Sequence, residues 1–252
     1  MVLVHGAWQG SWAFAAWLPH LQRRGWQVHA VDLPGNGWPP KGDARADLAA
    51  YTDHVAQVLH RIDEPVVLVG HSGGGITASQ VAEVMPAQVA GLVYLAGMML
   101  PTGLSFAELV RRCTAEQPET DFAGISPHLE WNADHTATGV REAGALSCFL
   151  QDCSPDVAKQ AAAMLRPQPE SGRAMTNTLS VGRFSRVPRV YVECSADRSI
   201  QPTLQRKMQE LSPGAKRLVL DCGHVPQLAQ PLQLTDLLCP VLDALSSPTH
   251  LF

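Results

Sequence analysis

Residues 66–85 place a buried strand, a glycine-rich turn and a helix in direct succession. The run Val66–Val69 is wholly apolar, which is typical of a strand covered on both faces. Residues 70–74 then read Gly-His-Ser-Gly-Gly, and helical sequence follows as far as Met85. A GxSxG turn between a strand and a helix holds its serine in strained backbone geometry, and the flanking glycines leave room for it. The sequence therefore predicts Ser72 as a nucleophile at the start of a helix.

Strands and helices alternate on both sides of this turn. Apolar runs typical of strands fall at residues 1–4, 27–33, 66–70, 89–97, 189–195 and 216–221. Helical patterns occupy residues 11–24, 44–62, 74–85, 202–211 and 232–245. Because the connections are short, this order predicts parallel β-α-β units in a mostly parallel, doubly wound sheet of the α/β class.

The pattern changes between residues 101 and 185. Proline, cysteine and scattered aromatic residues interrupt short helical stretches there, and no clean buried strand is visible. We therefore expect one α/β core, residues 1–100 and 186–252, that carries a mainly helical insertion at 101–185. A dense turn is expected at 33–40 and a frayed tail at 246–252.

Composition and charge exclude several classes of protein. The 19 Lys and Arg are outnumbered by 23 Asp and Glu and form no basic tract, which argues against a nucleic-acid partner. A hydrophobic content of 46% with a net charge of −4 excludes intrinsic disorder. The apolar stretch 1–22 lacks an early Lys or Arg and is broken by Gly6, Gly10 and Pro19. We therefore expect neither a secretory signal nor a membrane anchor.

The cysteines indicate a reducing compartment. All six lack CxxC spacing and any metal-ligand spacing with histidine. We expect buried thiols in a cytoplasmic protein, with no metal and no cofactor. Cys148 and Cys153 are close enough in sequence that a disulfide between them is an open alternative. The sequence also leaves open whether the protein is a monomer or a homodimer.

A serine nucleophile needs a base, and the base needs an orienting carboxylate. With a GxSxG turn the expected chain order is serine, acid, histidine, each in a loop after a core strand. Asp197 follows the strand at 189–195, and His224 follows the strand at 216–221. Since parallel strands bring their carboxyl ends to one edge of the sheet, we predict Ser72, Asp197 and His224 as the catalytic triad.

Other acidic residues fit the role of the acid less well. Glu193 sits inside its strand, and Asp221 adjoins the histidine loop too closely to orient the ring. Asp32 precedes the serine in the chain, on the wrong side for this order. His71, within the turn, is expected to pack and to form hydrogen bonds.

Two backbone N–H groups are expected to stabilise the oxyanion. One belongs to Gly73, directly after the nucleophile, and the other to Ala7, in the loop after the first strand. Substrate-pocket residues are predicted around them. They are Gly6, Trp8, Met98, Met99, Trp131, Phe149 and Val225.

Several segments resemble the α/β-hydrolase superfamily. They are Val2–Trp12, Asp32–Gly35, Val67–Ser72 and Gly223–Gln227. They look like the branch of plant methyl-ester esterases, hydroxynitrile lyases and bacterial pyrethroid-type carboxylesterases, and 149–155 is similar to the cap of the bacterial members. The resemblance implies an α/β-hydrolase fold with a cap, and hydrolysis of a small-molecule ester.

Departures from that branch bear on the reaction. The lyases carry a threonine where this chain has Gly6, and a lysine where it has Val225. The chain therefore resembles the esterases, and the serine nucleophile argues against dehalogenase and epoxide-hydrolase chemistry. Many relatives have Leu or Met at the position of Gly73.

We expect a serine carboxylesterase for small to medium hydrophobic esters. Cyanohydrin lysis, C–C hydrolysis and a ligand receptor without turnover remain the alternatives.

Overall fold

The computed structural model describes residues 1–36 and 45–246, and a six-stranded parallel sheet forms its centre. The strands of this sheet are β1 (Val2–Val4), β2 (His29–Val31), β3 (Val66–His71), β4 (Val89–Leu95), β8 (Arg189–Cys194) and β9 (Ala215–Leu220). Three further strands, β5 (Leu129–Trp131), β6 (Ala137–Val140) and β7 (Gln168–Pro169), form a separate sheet. The strand order β2-β1-β3-β4-β8-β9 confirms the predicted parallel α/β fold.

Nine α-helices lie in the described part of the chain. They are α1 (Leu18–Arg23), α2 (Leu48–Ile62), α3 (Gly74–Val84), α4 (Phe106–Glu116), α5 (Glu142–Gly144), α6 (Pro155–Met164), α7 (Pro202–Leu211), α8 (Pro226–Ala229) and α9 (Pro231–Ser246). Among these described helices, none has the length and apolarity needed to cross a bilayer.

The central strand β3 shows why its sequence is apolar without a break. Val66 and Leu68 belong to a core cluster on the face that also contains Tyr51 of α2. Val67 and Val69 belong to the opposite cluster, together with Leu238 of α9. Because successive side chains of a strand point to opposite faces, a strand covered on both faces has to be apolar at every position.

The observed elements differ from the predicted ones where proline and short strands intervene. The helix predicted at 11–24 is divided into a 3-10 turn, Ser11–Phe14, and α1. Pro19 lies in the first turn of α1, where its missing N–H is tolerated, and it could not continue a helix from residue 11. The strand predicted at 27–33 is limited to β2. The described residues do not include 37–40 of the predicted turn, the predicted start of α2 at residue 44, or 247–252 of the predicted tail.

The segment between β4 and β8 contains more strand than predicted. Helices α4, α5 and α6, with a π-helical turn at Ala145–Phe149, account for most of its regular structure. The antiparallel sheet β5-β6-β7 was not predicted from the sequence. Its strands have only two to four residues, and β6 and β7 bury the polar side chains of Thr138 and Gln168. The alternation of apolar residues that marks a strand is therefore absent.

Candidate active site

The turn after β3 holds Ser72 in an unusual conformation. Its φ of 52° lies in the left-handed region, which side chains other than glycine rarely adopt. A Cβ at position 70 would lie 2.7 Å from the carbonyl oxygen of Gly74, and a Cβ at position 74 would lie 2.5 Å from that of His5. Glycine is therefore required on both sides of the serine. The turn places Ser72, 9% exposed, on the wall of a cavity of about 440 Å³.

The predicted acid and base form a buried pair at the neighbouring strand ends. Asp197 follows β8 and His224 follows β9, and Oδ2 of Asp197 lies 2.8 Å from Nδ1 of His224. Asp197 also accepts hydrogen bonds from the backbone N–H groups of Ser199 at 2.7 Å and Ile200 at 3.0 Å. Gln205 of α7 donates to Oδ2 at 3.0 Å. Four donors around one carboxylate fix its orientation toward the ring.

His71 links the serine turn to the histidine loop. Its Nε2 lies 2.8 Å from the carbonyl oxygen of His224, and its Nδ1 lies 3.0 Å from Oε1 of Gln9. Burial, reinforced by the neighbouring His224 ring, holds the pKa of His71 well below its usual range. Within the described chain, no hydrogen bond joins Oγ of Ser72 to the His224 ring. Catalytic contacts of this kind often tighten only when substrate binds.

Two backbone N–H groups lie beside Ser72. No described residue accepts a hydrogen bond from the N–H of Ala7 or of Gly73. These loops approach each other closely, since a Cβ at position 73 would lie 3.8 Å from the Ala7 nitrogen. A Cβ at position 6 would lie 2.7 Å from Cβ of Ser72. The Gly6 loop can therefore pack directly against the serine.

The predicted pocket residues fall into two groups. Gly6, Trp8, Met98 and Trp131 line the cavity. The other three, Met99, Phe149 and Val225, are buried in the packing behind it. The cavity wall also contains further residues from the insertion. They include Phe106, Phe122, Ile125, Leu129, Gln168 and Met175.

Phe149 does not line the cavity because its ring packs against His224. Its ring stacks on the His224 imidazole, with centroids 5.2 Å apart and planes at 24°. The same Phe149 ring also lies near the Trp8 ring, at a centroid distance of 5.8 Å. The insertion thus contacts both the histidine loop and the loop that contains Ala7.

The remaining sequence predictions concern metals and thiols. All six cysteines are free in the structure, so Cys148 and Cys153 form no disulfide. Among the described residues there is no group of three or more His, Cys, Asp or Glu arranged to hold a metal ion.

Comparisons with known proteins agree with this architecture. Residues 1–237 match the alpha/beta hydrolase family. The pyrethroid hydrolase of Sphingobium wenxiniae is 28% identical over 97% of this chain and 88% of its own length. Methylesterase 7 of Arabidopsis thaliana is 29% identical over 96% of this chain and 95% of its own length.

Solved structures show the same similarity. The crystal structure of a pyrethroid hydrolase from Sphingobium faniae superposes with a TM-score of 0.84 at 26% identity, covering 98% of this chain and 97% of the other. Three findings lead to one conclusion: the family match over 1–237, the parallel α/β sheet, and named relatives that are esterases and hydrolases. The chain belongs to the alpha/beta hydrolase family.

Proposed function

We propose that this protein is a serine carboxylesterase with Ser72 as nucleophile, His224 as base and Asp197 as the orienting acid. The observation that carries the proposal is a pair of N–H groups, on Ala7 and Gly73, beside a serine at a φ of 52°. No described residue accepts a hydrogen bond from either group. Such donors are worth about 3–4 kcal/mol each to a transition state in which an oxyanion develops. Acyl transfer to a serine requires N–H groups that are available to donate to the oxyanion, and these two groups meet that requirement.

The first half of the reaction forms an acyl-enzyme. His224 Nε2 takes the Ser72 hydroxyl proton as Oγ attacks the ester carbonyl carbon, and the carbonyl π electrons move onto the oxygen. The N–H groups of Ala7 and Gly73 donate to that oxyanion. When the intermediate collapses, the C–O bond to the alcohol breaks, and His224 gives its proton to the departing oxygen. The hydrogen bond from Nδ1 to Asp197 steadies the imidazolium throughout.

The second half of the reaction releases the acid. A water molecule gives its proton to His224 Nε2 while its oxygen attacks the acyl carbon. The same two N–H groups hold the second oxyanion. Collapse breaks the bond to Oγ, and His224 returns the proton to Ser72, so the protein ends as it began.

The cavity favours a neutral, hydrophobic ester. Its walls are mostly apolar, with Leu33, Met98 and Phe106 among them. The charged residues on the wall, Glu170 and Arg173, are paired with each other at 2.8 Å. The names of the similar proteins, a pyrethroid hydrolase and a methylesterase, support an ester substrate of small to medium size.

We also propose that residues 101–185 form a cap over a core made of 1–100 and 186–252. Lining residues of the cavity come from both parts, with Trp8 and Ile200 on the core side and Phe122 and Trp131 on the other. Removing bulk water behind such a cap strengthens the hydrogen bonds to the oxyanion.

The proposal is tested with a panel of methyl, para-nitrophenyl and pyrethroid esters that vary in acyl length and alcohol bulk. We expect steady turnover by the wild-type chain and a loss of about 10⁴-fold or more in Ser72→Ala. Esters cut by Ser72→Ala at the wild-type rate would refute the proposal. Release of cyanide from mandelonitrile in preference to ester cleavage would instead identify a lyase.

A further inference from the structure

Trp8 follows Ala7 directly, and its backbone is strained. Its φ of 63° lies in the left-handed region, where a residue with a large side chain is uncommon. Trp8 is also buried, so its backbone groups need protein partners. A strained, buried residue keeps its conformation only where its surroundings fix it.

The partners that fix Trp8 lie in the insertion. Its N–H donates to Oε1 of Gln168 at 3.3 Å, and its carbonyl accepts from the N–H of Arg166 at 2.9 Å. Its indole Nε1 donates to the carbonyl of Thr138 at 3.0 Å. Among the described residues, every hydrogen bond of Trp8 therefore ends between residues 138 and 168.

The small antiparallel sheet brings two of these partners together. Thr138 on β6 and Gln168 on β7 are directly opposite each other in the strand register. Side chains at opposed positions of an antiparallel pair point to the same face. Both residues are buried, so this face of the sheet meets the loop of Ala7 and Trp8 without intervening solvent.

The amide of Gln168 is itself held in one orientation. Its Oε1 also accepts from Nδ2 of Asn36 at 2.6 Å, and its Nε2 donates to the Tyr51 hydroxyl at 2.7 Å. That hydroxyl donates to Oδ1 of Asn36 at 3.1 Å, which closes a ring of three side chains. Burial raises the pKa of Tyr51 to about 12, so the hydroxyl stays protonated and able to donate.

The backbone leaves room for this ring of side chains. A Cβ at position 172 would lie 2.2 Å from the Tyr51 hydroxyl oxygen and 2.6 Å from Nε2 of Gln168. Glycine at 172 is therefore a condition for the network. Gln168 is thus placed by several independent contacts, and one of its acceptor positions is turned to the Trp8 N–H.

We propose that Gln168 is a positioning residue for the oxyanion hole. By accepting the Trp8 N–H, it fixes the turn that directs the Ala7 N–H toward the developing oxyanion. The inference rests on the proposed function and adds that the insertion sets the geometry of the transition-state site as well as covering it. A donor displaced by about 1 Å is enough to slow a reaction by roughly 100-fold.

The test compares Gln168→Met with a matched Gln80→Met variant. Gln80 of α3 also joins the core to the insertion, since its Oε1 accepts the Thr178 N–H at 3.0 Å. Both substitutions keep the length of the side chain and remove the amide. The measurements are kcat and KM for para-nitrophenyl butyrate, and the inhibition constant of an alkyl trifluoromethyl ketone. Ser72 Oγ adds to that ketone carbon, its proton passes to His224, and the ketone oxygen becomes the oxyanion.

We expect Gln168→Met to lower kcat by about 10- to 100-fold and to raise the inhibition constant by a similar factor. KM should stay within about twofold, because the ground state makes no use of the oxyanion donors. Gln168→Glu keeps an acceptor oxygen for the Trp8 N–H and should recover most of kcat, although a buried carboxylate lowers its thermal midpoint. A merely structural role would not separate activity from stability in this way.

Equal kcat and inhibition constants in Gln168→Met and Gln80→Met would overturn the role of Gln168. If Gln168→Met does not fold, Gln168→Asn, which withdraws the amide by one methylene, is judged by the same criterion. Measurements on the wild-type chain distinguish a failure of this inference from a failure of the proposed function. Ser72-dependent hydrolysis by the wild type with no effect of Gln168 rejects the inference alone, and no such hydrolysis rejects both.

Discussion

The Phe149 ring stacks on the imidazole of His224, with ring centroids 5.2 Å apart and planes at 24°. Phe149 ends a π-helical turn of the insertion, whereas His224 follows the core strand β9. The contact therefore joins the proposed cap to the proposed base. An aromatic face beside the ring is positioned to stabilise the imidazolium that forms during acyl transfer.

Replacing Phe149 with leucine should slow turnover without preventing folding. The lost stacking is worth about 0.5–1.5 kcal/mol, so we expect kcat to fall roughly two- to tenfold. Phe184→Leu is the matched control, since that buried ring packs elsewhere, against the Arg189 guanidinium at 4.8 Å. Stopped-flow or steady-state kinetics on both variants make the comparison. Unchanged kcat in Phe149→Leu would show that the stack has no part in the reaction.

The choice of acid is tested by comparing two aspartates. Asp197→Asn should lower kcat by about 10⁴-fold, because the amide no longer holds the ring in the tautomer that accepts the serine proton. Asp221, the alternative near the histidine loop, accepts instead from the Ser195 hydroxyl at 2.8 Å. Asp221→Asn should therefore retain kcat within about twofold. The reverse ranking in a steady-state assay would move the role of acid to Asp221.

Position 6 should tolerate no side chain. A Cβ there would lie 2.7 Å from Cβ and 3.2 Å from Oγ of Ser72, so the nucleophile would have to shift. We expect Gly6→Ala to lose about 100-fold or more in kcat while retaining its fold by circular dichroism. Gly182→Ala, at a position with nothing within 4 Å of the new Cβ, should behave like wild type. Full activity in Gly6→Ala would contradict the close approach of this loop to Ser72.

Stability should fall in mild acid because of His71. Burial holds the pKa of its folded-state ring well below the usual value, whereas the unfolded ring titrates near about 6.5. Below that pH the unfolded chain binds more protons than the folded chain, so unfolding becomes easier, by up to about 1.4 kcal/mol per pH unit. Thermal midpoints should therefore drop between pH 7 and pH 5.

Two variants test whether the His71 ring causes this loss of stability in acid. His71→Asn should lose less stability than wild type over the same pH interval, since it has no proton to gain. His60→Asn, on the exposed side of α2, should keep the wild-type dependence. Parallel curves for wild type and His71→Asn would show that other groups, such as the buried His5 with its lowered pKa, carry the effect.

Local sequence signals were enough to predict the fold of the core and the proximity of Asp197 and His224. The apolar run of β3 and the glycines around Ser72 are confined to a few neighbouring positions, so their meaning is visible without the fold. Asp197 and His224 could be chosen because each follows a strand, and parallel strands end at one edge. Their pairing at 2.8 Å agrees with that choice, while their catalytic roles remain predictions.

Long-range contacts explain what the sequence did not reveal. Thr138 and Gln168 lie on strands of four and two residues, too short for an alternating pattern, and both are polar although buried. Their partner Trp8 lies 130 and 160 positions away along the chain. The sequence predicts Phe149 as an apolar pocket residue of the insertion, but the position of its ring depends on how the insertion folds onto His224. Neither arrangement leaves a periodic signal in the sequence.

The most direct measurement of the central claim is the site at which a fluorophosphonate reacts. Ser72 Oγ should attack phosphorus and displace fluoride, which leaves one adduct that intact-mass spectrometry and peptide mapping assign to Ser72. The reaction should disappear in Ser72→Ala and slow by about 10³-fold or more in His224→Ala. Inactivation by an adduct on a different residue, or ester hydrolysis that continues after Ser72 is fully modified, would contradict the proposed mechanism.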